Sequence, residues 1–293
     1  MCNRFPRYAF VRRAVRKFMP GETLADALQA ARNFSGQNIS VVLTHLGENI
    51  STAAEADAVT AHYLDVLEEV HARDLPATIS LKLTQLGFDL SEEETYEQFS
   101  KIADRAGSYN NFVWIDMEDS SYADRTIKFY KRIKSEFSNT GLCLQAYLYR
   151  TAGDIDELME NMPNLRIVKG AYKESDSVAF PKRTQVDANY FHLARMLLPA
   201  MKDGKARVIF ATHDKILLEQ IILAAQGFEL SAESLEFNML FGIKPSLQSR
   251  MAQRGHRVGI LISYGSAWFP WYMRRLAERP ANLWFVVKNL FRR

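Results

Sequence analysis

The sequence predicts an α/β fold, a (βα)8 TIM-like barrel, on three observations. Eight short apolar or β-branched runs alternate with helix-patterned stretches along 293 residues, the order expected of a parallel sheet with crossover helices. Side chains able to do chemistry fall at or just beyond the C-terminal ends of these runs, where the βα loops of a barrel gather. A doubly wound sheet would instead carry a Gly-rich phosphate turn near its start, and the chain contains no Gly-x-Gly-x-x-Gly.

Taken in order, residues 1–36 read as an N-terminal helical segment and residues 37–293 as one barrel domain. In the first segment Arg12, Arg13, Arg16 and Lys17 alternate with Phe10, Val11, Ala14, Val15 and Phe18. That pattern permits an amphipathic helix packed on the body with its charges in water. The expected strands are Ile39 to Leu43, Thr78 to Leu83, Phe112 to Met117, Leu142 to Tyr147, Leu165 to Lys169, Arg207 to Ala211, Leu235 to Leu240 and Arg257 to Ile262. Gly21-Glu-Thr-Leu, Ser91-Glu-Glu-Glu and Thr151-Ala-Gly-Asp seed helices between them, because Ser, Thr and early acids satisfy the free N–H groups of a helix start. Proline and glycine fall mostly at the joints. No internal repeat or low-complexity stretch stands out, which suits a barrel of divergent units.

Composition narrows the function classes. An apolar content of 47% is enough for a large core. No uninterrupted apolar run reaches the ~18 residues of a membrane span, and the N-terminus lacks a charged, apolar and cleavable series, so a cytoplasmic protein is expected. Cys2 and Cys143 stand far apart, which excludes a disulfide framework or a cysteine zinc site, and Cys143 reads as core packing in an apolar strand. The net charge of +3 is unevenly spread. Residues 1–17 carry six basic side chains and no acid, and residues 274–293 carry six basic and one acidic. Basic ends on an acidic body favour peripheral contact with an anionic membrane face. Nucleic acid is not expected as a partner, since no aromatic-interleaved basic groove is present.

The chemistry expected at the barrel mouth comes from Glu48 after the first strand, Lys82 on the second, Asp116 on the third and Gln145 on the fourth. Lys169 on the fifth, Thr212 and His213 on the sixth, and Asn238 on the seventh complete the set. There is no His-Glu-x-x-His, no Cys/His cluster and no defensible Ser-His-Asp order, so neither a metal nor a nucleophilic serine is indicated. Lys82 or Lys169 is a candidate Schiff-base lysine, which points to a lyase or aldolase-like alternative. His213 is either an acid–base group or a satisfied structural histidine. An inward Asp116 among cations reads as an ion-pair partner. Beyond the eighth strand, Arg274 and Arg275 lie four and three residues before Glu278, with Trp271 one turn earlier. One helix face thus offers two guanidinium forks, an aromatic wall and a carboxylate, a fit for a small anionic ligand; the plainer alternative is a solvated face.

Six segments in order carry a family resemblance. They are Ser80-Leu-Lys-Leu-Thr-Gln-Leu-Gly, Ile115-Asp-Met-Glu-Asp-Ser, Leu144-Gln-Ala-Tyr-Leu-Tyr-Arg-Thr, Leu165-Arg-Ile-Val-Lys-Gly-Ala-Tyr, Phe210-Ala-Thr-His-Asp and Arg274-Arg-Leu-Ala-Glu-Arg-Pro-Ala-Asn. Together, from about residue 8 onward, they resemble the flavin-dependent proline dehydrogenases in their short monofunctional bacterial form. The resemblance implies a distorted barrel with its last helix over the flavin, FAD or FMN. It also implies oxidation of L-proline to Δ1-pyrroline-5-carboxylate, electrons passed to a quinone, and a separate pyrroline-5-carboxylate dehydrogenase downstream. By motif, Arg274 and Arg275 clamp the substrate carboxylate with help from Lys82, and Glu278 holds the arginines near the flavin. Asp116 orders the active-site cations, and Tyr172 closes the pocket. Flavin contacts are implied for Gln145, Arg166, Val168, Lys169, Gly170, Ala171, Thr212, His213, Asn238, Arg275 and Glu278. A small Gly-Ala pair suits close approach of a flat ring.

The chain departs from the family pattern at the substrate. Leu261 stands where the family has a tyrosine on the eighth strand, Ser263 where it has a proline, Trp271 where it has a second tyrosine, unless neighbouring Tyr272 takes that place, and Asn238 where it has a glutamine. These changes imply a reshaped ring pocket. Another cyclic imino acid (hydroxyproline, pipecolate or an N-substituted proline) is therefore an alternative substrate, and a flavin-binding barrel without turnover is an alternative role.

Overall fold

Alternating side-chain direction along eight short strands decides the architecture. In the computed structural model, which describes residues 17–47 and 50–269, β1 (Ile39–His45), β2 (Ala77–Leu81), β3 (Val113–Ile115), β4 (Thr140–Gln145), β5 (Asn164–Val168), β6 (Arg207–Ala211), β7 (Glu236–Leu240) and β8 (Arg257–Tyr264) follow one another around a closed barrel. Every neighbouring pair is parallel, and closure is made by β1 on β8, with Val42 opposite Leu261 and Thr44 opposite Ser263. All eight expected strands are present. β1 and β8 run two residues further than the sequence suggested. β3 is shorter, because after Ile115 the chain turns into a 3-10 turn, Ser120–Tyr122, capped by Asp119.

The helices of the described residues are α1 (Leu24–Arg32), α2 (Ala53–Ala72), α3 (Glu92–Ser108), α4 (Ala123–Glu136), α5 (Thr151–Leu158), α6 (Arg183–Lys202), α7 (Lys215–Gln226) and α8 (Pro245–Gln253). Their starts follow from local chemistry. Thr23 with Asp26 and Thr52 with Glu55 make capping boxes at α1 and α2, and Ser91 caps α3 ahead of three glutamates in its first turn. Thr151 behaves differently from the expected cap: it is the first helical residue, and its Oγ1 donates to the Gln145 carbonyl at 2.6 Å. Helix α1 shares the main core, through Ala27, Leu28, Ala30 and Ala31.

The barrel wall separates two interiors. Residues such as Leu43, Ile79, Val113, Leu142, Ile167, Phe210, Phe237 and Ile260 face the helices and form the main core. Those of opposite parity face the lumen. Its lower part is plugged by Val42, Trp114 and Ile209, with Phe112 and Leu261 packed on them. The Arg207–Glu236 ion pair, at 2.9 Å, closes the same end, with the guanidinium 4.7 Å from the Phe112 ring centroid. Gly141 makes room for the plug, since a Cβ there would lie 2.4 Å from the Trp114 ring. The upper lumen, toward the strand C-termini, is polar.

Candidate active site

Three consecutive strands build the centre of that polar region. Ser80, Asp116 and Arg166, from β2, the end of β3 and β5, share lumen parity and converge. Asp116 Oδ1 accepts from Ser80 Oγ at 2.9 Å and from Arg166 Nη2. Arg166 Nη2 also donates to Ser80 Oγ at 2.8 Å, and the guanidinium lies 5.2 Å from the Trp114 ring centroid. The Arg166 side chain is 3% exposed. Burial works against its charge, but Asp116 and the Cys143 sulfur beside it prevail and hold its pKa above the ordinary value. Cys143 is buried as expected, and burial pushes its thiol pKa up. Asp116 is thus an ion-pair partner.

Four polar atoms of lumen parity are buried yet unpaired among the described residues: Arg166 Nη1, Gln145 Oε1, Asn238 Oδ1 and Ser263 Oγ. Gln145 is anchored by its other end, Nε2 donating to the Glu118 carbonyl at 2.9 Å. Asn238 packs against Gly259, where a Cβ would come within 2.6 Å of its amide. A buried polar atom left unpaired costs about 1–3 kcal/mol. Four of them inside one barrel mark a place where a polar ligand completes the bonding.

The loops above are tied down individually. Lys82 caps a short 3-10 helix, Leu83–Leu86, its backbone N–H donating to Gln85 Oε1 at 3.0 Å, while Gln85 Nε2 donates to the carbonyls of His45 and Gly47. The Thr84 hydroxyl donates to buried Glu118 at 2.8 Å. His213 Nε2 accepts from the Leu240 N–H at 2.7 Å, which gives it a structural bond and commits that nitrogen as an acceptor. Thr212 is buried, and its Oγ1 accepts from the Asp214 N–H. Lys169 is engaged by two carboxylates, Asp187 and Asp214, the latter at 3.0 Å. Val168, Gly170 and Tyr172 are half-buried and Ala171 is exposed. At Gly170 (φ +116°) the group in close approach is the Tyr147 ring, which a Cβ would meet at 2.4 Å. The Tyr147 hydroxyl in turn donates to Glu174, whose carboxylate accepts from the Ser120 N–H and hydroxyl. That chain joins the loops after β3 and β5.

The structure brings Lys82, Asp116, Gln145, Arg166 and Asn238 to one end of one lumen, as their strand positions implied. Leu261, half-buried, contributes to the plug beneath them. Glu48, Trp271, Arg274, Arg275 and Glu278 lie outside the described residues. Two polar residues of this region, Ser80 and Glu174, are not singled out by the sequence. Ser80 was detectable, since it shares the parity of Lys82 two residues on.

A sequence profile described as "Proline dehydrogenase" matches residues 27–288. The chain is also 35% identical over 291 residues to "Proline dehydrogenase 1" of Bacillus subtilis subsp. natto, covering 99% of this chain and 95% of that protein. The chain belongs to the proline dehydrogenase family. A further relative, the "Proline dehydrogenase" of Deinococcus radiodurans, is 32% identical over 283 residues, 94% of this chain and 89% of its own length. The barrel is similar to solved structures of longer proteins. Proline utilization A from Bdellovibrio bacteriovorus, inactivated by N-propargylglycine, matches with a TM-score of 0.83 at 22% identity, over 89% of this chain and 32% of that one. A Bradyrhizobium japonicum proline utilization A matches with a TM-score of 0.77 over 92% of this chain and 31% of that one. The chain thus spans about a third of either solved chain, and these likenesses establish the barrel fold.

Proposed function

We infer that this chain oxidises L-proline to Δ1-pyrroline-5-carboxylate with a flavin, FAD in the first instance, held in the upper lumen. The observation that carries the reading is the set of buried, unpaired polar atoms inside the lumen: one donor on Arg166, acceptors on Gln145 and Asn238, and the hydroxyl of Ser263. A flat heterocycle bearing both N–H and C=O groups supplies what they lack. Val168, Lys169, Gly170, Ala171, Thr212 and His213 line the approach from β5 and β6, and Arg275 and Glu278 complete the cofactor set.

Forming the ring C=N removes two electrons and two protons from proline, one from nitrogen and one with the C5 hydride. Bound flavin supplies the two-electron acceptor. The chain's own residues bind and orient. Lys82, Arg274 and Arg275 hold the carboxylate, Asp116 orders the lumen through Oδ1 on the Arg166 guanidinium, Tyr172 closes the pocket with Trp271 along the ring, and Leu261 forms the floor from the top of the plug. The electrons pass on to a quinone, for which basic ends near an anionic membrane face offer access. The pyrroline goes to a separate dehydrogenase. Among the described residues no helix is long and apolar enough to cross a membrane. A second reading, another cyclic imino acid as substrate, is favoured by apolar Leu261 at a position the family fills with tyrosine.

The test is the visible spectrum of purified protein during anaerobic addition of L-proline, then hydroxyproline, pipecolate and N-methylproline. Flavin bands bleached by L-proline support the first reading, and bleaching by another ring alone supports the second. A colourless protein that takes up neither FAD nor FMN overturns both.

A further inference from the structure

We propose that Ser80 is a positioning residue for the oxidation, fixing the Asp116 carboxylate and the Arg166 guanidinium relative to each other and thereby setting the reduction potential of the bound flavin. The proposal rests on the flavoenzyme reading above. Ser80 is wholly buried at the inner face of β2. Its Oγ accepts from Arg166 Nη2 at 2.8 Å, so its own proton goes to Asp116 Oδ1 at 2.9 Å in preference to the Trp114 carbonyl at 3.5 Å. The three groups form a closed triangle in which Oδ1 takes both of its side-chain bonds from neighbouring donors.

Two consequences follow from that triangle. The carboxylate cannot rotate about its Cβ–Cγ bond without breaking two bonds at once, so its second oxygen keeps one direction. The guanidinium is held by its Nη2 edge and stacked near Trp114, so Nη1, buried and unpaired, also keeps one direction. An acceptor and a donor are thereby presented in fixed relation to whatever binds above. Without the hydroxyl, Oδ1 loses one of its two donors and the Asp116 charge is less neutralised. A less neutralised anion beside a group that gains electrons makes that gain less favourable.

The experiment compares wild type with Ser80→Ala, Ser80→Cys and Ser80→Thr, each loaded with FAD. Expected for Ser80→Ala is a full flavin complement, a KM for proline within about twofold of wild type, and a kcat lowered by roughly tenfold. A tenfold shift in a two-electron equilibrium corresponds to a midpoint potential lower by about 30 mV. Ser80→Cys, nearly isosteric and a weak donor, should behave as alanine, and Ser80→Thr should restore both potential and kcat. If Ser80→Ala does not fold, the cysteine and threonine variants carry the same comparison. A potential and a kcat unchanged in Ser80→Ala or Ser80→Cys, while wild type is bleached by proline, overturn the role of Ser80 and leave the flavoenzyme reading standing. A threonine variant as impaired as alanine also overturns it, because packing and not the hydroxyl would then be responsible. Wild-type protein that takes up no flavin overturns both readings together.

Discussion

Replacing Asp116 by asparagine tests whether the lumen centre is an ion pair or a set of polar neighbours. The substitution keeps shape and removes charge, leaving Arg166, 3% exposed, as a buried guanidinium without its carboxylate. Breaking a buried pair at one partner costs about 3–5 kcal/mol, while removing both partners together is often far cheaper. The Asp116 side chain is 21% exposed toward the mouth, so solvent relieves part of the penalty and the lower end, about 3 kcal/mol, applies. In the Asp116→Asn/Arg166→Met double variant the uncompensated charge is gone, and the loss should shrink to about 1–2 kcal/mol. Urea unfolding of the flavin-free protein, followed by circular dichroism, reads both numbers from midpoints at a common m value. A single substitution costing below about 1 kcal/mol, or a double variant less stable than the single, would refute the ion-pair account.

Three other outcomes are expected. Gly170→Ala places a Cβ at φ +116° and 2.4 Å from the Tyr147 ring; strain of this kind costs about 1–3 kcal/mol before the clash is counted, so Tm and flavin uptake should both fall, and an unchanged Tm would contradict the loop geometry. Burial and then neighbouring His62 pull the His45 pKa from its usual 6.5 down to about 4. The unfolded chain therefore binds more protons across that window, and stability should rise as pH climbs from about 4 to 6.5 and level off above. His45→Gln should flatten the slope in urea midpoints measured against pH. Because two carboxylates already hold Lys169 Nζ, borohydride with a carbonyl compound should leave the peptide carrying Lys169 unchanged in mass; a trapped adduct on Lys169, or on Lys82, the other candidate, would revive the lyase alternative.

Much of the fold was readable because a parallel barrel repeats one local rule. Strands such as Arg207 to Ala211 are short apolar runs between helix signals, and the structure keeps those bounds. Ends were less readable where the ladder is set by neighbours: β8 runs on to Tyr264 because β1 pairs with it as far as His45. The candidate site was readable wherever strand parity decides direction, which is why Lys82, Asp116, Gln145 and Asn238 share one lumen. It was not readable where distant residues choose the partner. Nothing near Lys169 in sequence announces Asp187 or Asp214, and nothing near Gly170 announces that Tyr147, on the preceding βα loop, is what requires glycine. Ser80 lay between the two cases, visible by parity but silent about its bonds to Arg166, 86 residues away.

The plugged lower lumen has a kinetic meaning. With Trp114 seated over Gly141 and Arg207 paired to Glu236 beneath it, nothing can pass through the barrel along its axis. Traffic to the upper lumen is confined to the side of the strand C-termini, so an electron donor and an electron acceptor that both visit it approach through the same doorway and take turns. Under that constraint initial-rate plots for the two should run parallel, and each in excess should slow the other. A barrel with an open base would have allowed them to arrive from opposite sides and meet.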